Sequence, residues 1–388
     1  MFKPKFRMLC AVACGLSILV SAQMPAVAAS ADDKPIVVGI SAPLSGPATL
    51  LGEHLQWGAQ LATEQINAAG GVLGRKLDLK VQDNACSPSQ GVTSVSRLIS
   101  LDSPSVLMGA LCSSVTLALM PVVKRAQVPL VVSISTARAI AEGAGVGGND
   151  WVFKTNPSDQ GLADALVRYL LANSKIDRIA LAAEDTDYGR GASKALTAAF
   201  QGTRLKLVSS DYFQKGTQDY SAELTKLSHE KPDAVALYMT GTDEVNFVRQ
   251  YGHAGMTIPI TGRPNLGIMT KEITDGGVPS GSTSVYPYFV GIDNPENNAF
   301  VKAFKAQFHR DPIYQSFEAY EAVKIIAAAI NRAGKSDPAS IRKALVDTNF
   351  ESILGGIVKF DDHHEAHNSA IILKVEGGKV AVAGREHT

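Results

Sequence analysis

Apolar residues fall in short β-branched runs separated by segments of helical period. Residues 36–40, Ile-Val-Val-Gly-Ile, predict a first strand. Leu55, Ala59, Ala62 and Ile66 then share one helix face, and Gly70-Gly71 closes that helix. Residues 77–81 predict the next strand, and Val92, Val95 and Ile99 mark another helix face. Further strands are expected at 105–108, 129–134, 179–182 and 234–238. Helical stretches near 161–172, 191–200, 220–228 and 244–253 separate the later ones. Alternation at this spacing implies parallel sheets wound by βαβ units, an α/β fold. Residues 357–382 differ, reading as short strands joined by polar turns.

The N-terminus follows another pattern. Lys3, Lys5 and Arg7 precede an apolar run from 8 to 22, and Ala26-Val27-Ala28 follows. A basic start, a short apolar middle and a small-residue end is the layout of a secretory signal peptide, with cleavage expected after Ala28. The run is shorter than the roughly 20 residues a spanning helix needs. Cys10 and Cys14 lie too early for a lipid-attachment site. The expected product is a soluble protein of the periplasm, and residues 1–28 are set apart as its address.

Composition narrows the choice further. A chain of 388 residues suits two domains. With 45% hydrophobic and 19% charged residues, long disordered tracts are not expected. The 37 basic and 37 acidic side chains balance, which argues against nucleic acid as a partner. Past residue 28 only Cys86 and Cys112 remain. An even count in an oxidising compartment points to a disulfide, with two buried free thiols as the alternative.

Two motifs invite chemistry and do not support it. Residues 143–148 match G-x-G-x-x-G, but a helical stretch precedes them and a strand at 151–153 follows, the reverse of what dinucleotide binding needs. A surface loop is expected. Asp361-Asp362-His363-His364-Glu365-Ala366-His367 gathers metal-ligating types, yet it joins two strand-like segments and reads as a polar turn. No P-loop, G-x-S-x-G or H-E-x-x-H is present. No catalytic residue, metal or cofactor is expected.

The more informative clusters stand where strands end. Ser113 and Ser114 follow the strand near Gly109, and Ser133, Ser135 and Thr136 close another. Open parallel sheets bind ligands at the carboxyl ends of strands, where hydroxyls and helix-start N–H groups hold carboxylates. Helix N-capping is the other reading of such hydroxyls.

The chain also resembles a known family in an ordered series of short pieces. These are Pro43-Leu44-Ser45-Gly46-Pro47, Ile66-Asn67-Ala68-Ala69-Gly70-Gly71, Asp83-Asn84-Ala85-Cys86 and Leu111-Cys112-Ser113-Ser114. Then come Pro157-Ser158-Asp159-Gln160-Gly161, Asp187-Tyr188-Gly189, Pro232-Asp233-Ala234 and Gly355-Gly356 with Phe360-Asp361. In this order they are similar to the periplasmic solute-binding proteins of branched-chain amino acid ABC importers, the leucine/isoleucine/valine-binding type. The resemblance implies a Venus-flytrap of the type I periplasmic binding fold. Two doubly wound parallel-sheet lobes would be joined by a three-strand hinge. Lobe 1 would hold 35–154 plus 284–359, and lobe 2 would hold 155–283 plus 360–388. The family's N-lobe disulfide would fall on Cys86 and Cys112. The ligand carboxylate would meet Ser113, Ser114, Ser135 and Thr136, with Tyr188 closing from lobe 2.

Departures from the family pattern bear on the ligand. Ala137 stands where a threonine is usual, Leu51 where an aromatic is, and Pro264 where an acid pairs with the ligand ammonium. Asp185, Asp187, Asp243 and Glu244 are candidate replacements for that acid, and Arg263 is a candidate for a second anionic or polar group. A small carboxylate with an aromatic or aliphatic body is therefore expected, with a branched-chain-type amino acid as the alternative. The partners would be this small molecule and an inner-membrane ABC permease, and a monomer is expected. A sensor of the same fold, reporting to a receptor or regulator, is the competing function; a secreted hydrolase has no motif behind it.

Overall fold

A computed structural model describes Met1 and residues 34–367 and 369–388. The expected signal segment lies outside the described residues, as does Asn368. The first half of the chain builds one parallel sheet from β1 (Ile36–Ala42), β2 (Leu77–Asp83), β3 (Val106–Gly109), β4 (Leu130–Val132) and β5 (Val152–Lys154). Its order is β2-β1-β3-β4-β5. A second parallel sheet, ordered β7-β6-β8-β9, uses β6 (Arg178–Glu184), β7 (Lys206–Phe213), β8 (Ala234–Tyr238) and β9 (Ile260–Gly262). The chain then forms β10 (Thr283–Tyr286), a small pair β11 (Phe350–Glu351) and β12 (Ile357–Val358), and the hairpin β13 (Ser369–Glu376) and β14 (Lys379–His387). β13 lies antiparallel between β10 and β14. The α/β fold with two doubly wound parallel-sheet halves is thus as the sequence predicts.

The two sheets carry separate cores because the apolar runs of their inner strands are buried on both faces. One core draws residues from 36–153 and 286–366, including Ile40, Met108, Val131 and Phe317. The other half is filled by residues 162–292 with Ala370, Ile371 and Leu373 from β13. The helix Tyr314–Ala333 threads the first core with 15 of its 20 residues buried. It crosses the helix Thr49–Ala68 so closely that a Cβ on Gly58 would lie 2.0 Å from the Ser316 carbonyl oxygen. Glycine is required there, because no side chain fits between the two backbones. Beside this crossing, His54 Nδ1 lies 2.8 Å from Ser316 Oγ, and its ring meets Trp57 and Phe304. Burial, then the Arg310 charge, push His54 down to about 4. Trp57 stacks on Phe308, and Trp151 lies beneath the Arg342 guanidinium.

Three chain segments pass between the halves, near 154–159, 286–288 and 360–367. The polar-turn reading of 361–367 holds for its first part, where His364 N–H donates to the Asp361 carbonyl and Asp361 N–H donates to that of Glu365, closing a turn. Past that turn, Lys154 N–H donates to the His364 carbonyl and Ala366 N–H donates to that of Lys154, so Glu365 and Ala366 bridge to the end of β5. His364 stacks on Phe153 at 4.2 Å. Glu365 pairs with Lys154 at 3.4 Å, with Lys154 fully buried. A buried lysine needs a matched carboxylate, and Glu365 is the one acid of the run turned inward, while Asp361 and Asp362 stay exposed. Among the described residues no cluster suited to a metal ion is found, and no helix is long and apolar enough to cross a membrane.

The glycine-rich stretch 143–148 follows the helix Arg138–Glu142 and is a loop, held by Val146 N–H donating to the Asp362 carbonyl. Cys86 and Cys112 are joined as a disulfide. The bond fixes the turn after β2 to the residue immediately before the helix Ser113–Ala126.

Candidate functional site: a cleft between two strand-end ledges

Most polar groups of the cleft between the halves stand at or just past the carboxyl end of a parallel strand. β3 ends at Gly109 and the helix Ser113–Ala126 begins four residues on. β4 ends at Val132, leaving 133–137 as an irregular ledge before the next helix. From the other half, β6 ends in Glu184, β8 leads through Met239 and Thr240 to the helix Thr242–His253, and β9 is followed at once by Arg263. Tyr286 and Tyr314 enter from later segments and complete the lining.

The cleft is small, about 40 Å3, and closed by contacts between the halves. Thr242 N–H donates to the Pro47 carbonyl at 3.0 Å. Asp187 N–H donates to Ser114 Oγ at 3.4 Å, and Lys215 Nζ lies 3.4 Å from Cys86 Sγ. Asn265 Nδ2 donates to Gln315 Oε1 at 3.4 Å.

Arg263 is the centre of the charge arrangement. It is 3% exposed. Its Nη1 donates to Thr136 Oγ1 at 2.8 Å and to Asp159 Oδ1 at 3.3 Å. Its guanidinium carbon stands 4.7 Å from the Tyr286 ring centroid, 5.8 Å from Tyr188 and 6.0 Å from Tyr314. Aromatic faces attract a cation more strongly once water is excluded, so this cage holds the arginine in place. Nε of Arg263 and Oδ2 of Asp159 are buried without a partner. Burial, partly offset by Arg263, pushes the Asp159 carboxyl up. Burial likewise pushes Tyr188, Tyr286 and Tyr314 upward.

Two acids line the cleft itself, with Asp159 behind Arg263. Glu184 is well satisfied: Thr186 and Thr240 hydroxyls each donate to it at 2.7 Å, and Lys215 lies 3.6 Å away. Glu244 is 1% exposed and accepts one hydrogen bond, from Asn265 N–H at 2.8 Å. Burial pushes its carboxyl well up, opposed by that backbone bond.

Of the residues expected from sequence, Ser113, Thr136, Tyr188 and Arg263 come together in the cleft. Three do not. Ser135 turns inward, its hydroxyl donating to the Ala110 carbonyl at 2.6 Å and lying 2.7 Å from Thr116 Oγ1. Ser114 faces the boundary with Asp187. The Asp243 carboxylate accepts from Gly216 N–H at 3.0 Å and braces a loop. Ser113 Oγ itself accepts a long bond, 3.3 Å, from Ala137 N–H. Of the four acids considered for an ammonium, Glu244 is the one in the lining; Asp185 is engaged by Arg190 and Gln214. Glu184, Asn265, Tyr286, Tyr314 and Gln315 were not singled out by sequence. Their sole advance signal, for the first two, is a place next to a strand end.

A family model described as periplasmic binding protein matches residues 35–379, and the chain belongs to that family. Among characterised relatives, the Leu/Ile/Val-binding protein homolog 3 of Brucella melitensis is 29% identical over 354 residues, covering 91% of this chain and 94% of that protein. The leucine-, isoleucine-, valine-, threonine-, and alanine-binding protein of Pseudomonas aeruginosa is 27% identical, covering 86% and 87%. Among solved structures, an ABC transporter solute binding protein from R. palustris in complex with benzoate superposes with a TM-score of 0.83. It is 22% identical and covers 92% of this chain and 98% of that one. A leucine binding protein from Thermotoga maritima gives 0.78 at 23% identity, covering 90% and 98%. At such identities the structural likeness establishes the fold, a type I periplasmic binding protein.

Proposed function

We propose that this chain is the periplasmic solute-binding component of an ABC importer, and that it captures a small carboxylate with an aromatic or branched apolar body. The observation that carries the reading is the pairing of two unlike ledges. The half containing β1–β5 offers Ser113 at a helix start, where N–H groups favour an anion. The opposite half offers Tyr188 and the buried Arg263, with Tyr286 beside it. Aromatic walls suit a flat apolar body. Arg263 is spent on Asp159 and Thr136, and Pro264 takes the place of the acid that would attract an ammonium. The relatives named for leucine, isoleucine and valine support an amino acid ligand, and the benzoate complex supports an aromatic carboxylate. Pro264 in place of that acid, with the tyrosine walls, favours the second.

In this reading residues 1–28 direct export and are removed. Lobe 1 comprises 35–154 plus 284–359, and lobe 2 comprises 155–283 plus 360–388. Ligand contacts to both lobes shift the population towards the closed form. Calorimetry with benzoate, 4-hydroxybenzoate, leucine, isoleucine and valine tests the proposal. Binding of a benzoate tighter than that of any of the three amino acids is expected. Tight valine binding with no heat from either benzoate overturns it.

A further inference from the structure

The acids of the cleft are not equivalent. Asp159 has Arg263 at 3.3 Å, and Glu184 has two hydroxyl donors with Lys215 at 3.6 Å. Glu244 has no ion-pair partner among the described residues. One of its oxygens is taken by Asn265 N–H, and Oε2 has no hydrogen bond to a described residue. It sits in the first turn of the helix Thr242–His253, in the wall of the cleft. Resting on the carboxylate-binding reading above, we propose that the Glu244 carboxyl is the specificity-determining hydrogen-bond donor of the cleft, giving its O–H from Oε2 to a second oxygen on the ligand, a ring hydroxyl or carbonyl.

The groups around Glu244 agree with that role. Glu184 faces it from β6, and its negative charge opposes ionisation. Arg263 faces it from the end of β9 but is committed to Asp159 and Thr136. Tyr286 faces it from β10. Its helix neighbour Asp243 is turned to Gly216, and Lys215 is engaged with Glu184 and Thr240. Burial is the larger cause and pushes the carboxyl up; with 1% exposure and no ion-pair partner among the described residues, the ionised form would be an uncompensated buried charge, which favours the protonated form. A carboxylic acid has one donor and keeps acceptor capacity, whereas a carboxylate only accepts. With Oε1 receiving the Asn265 N–H, the donor is left for Oε2. Ser113 holds the ligand's own carboxylate from the other half, so the recognised molecule carries its second oxygen at the end remote from its carboxylate. The O–H accounts for discrimination among carboxylates that share the same apolar body.

The test compares benzoate with 4-hydroxybenzoate by calorimetry on the full chain, for the wild type, Glu244→Gln and Glu244→Leu. The wild type should prefer 4-hydroxybenzoate at least tenfold. Glu244→Gln, which keeps an N–H donor, should retain most of that preference. Glu244→Leu should reduce it to within twofold. Repeating the wild-type titration at pH 7 in two buffers of different ionisation enthalpy should show no proton released. An undiminished preference in Glu244→Leu overturns the inference and leaves the carboxylate reading standing. Release of about one proton on binding leucine, with no heat from either benzoate, overturns both, since Glu244 would then be ionising against an ammonium.

Discussion

Thr242 N–H donates to the carbonyl oxygen of Pro47 at 3.0 Å, a backbone bond between the two halves of the molecule. Gly241, one residue before it, has φ +64°, and a Cβ there would lie 2.1 Å from the same oxygen. The contact therefore depends on the absence of a side chain. Gly241→Ala should hold the halves apart, because backbone cannot yield as a flexible side chain would. Its affinity for whichever carboxylate or amino acid the wild type binds should fall at least tenfold. Small-angle scattering at saturating ligand should give a radius of gyration no smaller than that of the ligand-free variant. A normal closure would show that this contact does not limit the motion.

Ser113→Ala should weaken a carboxylate ligand by about 1–3 kcal/mol, a loss of roughly 5- to 150-fold, since a charge-assisted hydrogen bond disappears. Ser135→Ala should leave affinity nearly unchanged and act on stability instead, because that hydroxyl is spent on the Ala110 carbonyl. Calorimetry and urea unfolding on both variants separate the two outcomes.

Arg263→Met leaves Asp159 buried without its cation. Breaking one side of a buried pair costs about 3–5 kcal/mol, so the urea midpoint should fall sharply. Arg263→Lys should recover little, since a lysine lacks the planar surface that rests against Tyr286. Combining Arg263→Met with Asp159→Asn should restore most of the lost stability.

His54 titrates at about 4 in the folded protein, below the usual 6.5. Between those values the unfolded chain binds the proton and the folded one does not. Stability from this site is therefore present above pH 6.5 and is lost as pH falls towards 4, by about 3 kcal/mol in full. Unfolding free energies measured from pH 7 to 4 should fall more steeply for the wild type than for His54→Asn.

Removing the Cys86–Cys112 bond with a pair of serines should cost about 3 kcal/mol on the chain-entropy account. It should also weaken ligand binding, because Cys112 lines the cleft and immediately precedes Ser113. Denaturation and calorimetry on the double-serine variant check both.

What could be read in advance follows from what is local. β1, β3, β6 and β8 are short apolar runs bounded by turn residues, so their positions were legible to within two residues at most ends. The helix Tyr314–Ala333 was not, because burial on nearly every face erases the polar stripe that marks a helix. β7, half-buried along its length at the edge of its sheet, has no continuous apolar run either. In the cleft, Ser113 and Thr136 were legible as polar residues at strand ends, and Arg263 only through the departure from the family pattern at Pro264. Ser135 sits in the same ledge, yet the direction of its side chain depends on a loop path that no periodicity describes. Tyr286 and Tyr314 reach the cleft from segments far along the chain, and sequence spacing carries no trace of that meeting.

The two tryptophans have a consequence for how binding can be observed. Trp57 rests on Phe308 and Trp151 under Arg342, both on the half built from β1–β5 and outside the cleft lining. The rings beside the cleft are tyrosines. Indole emission should stay almost constant through a titration, and near-ultraviolet circular dichroism of the phenols is the optical channel that will register occupancy.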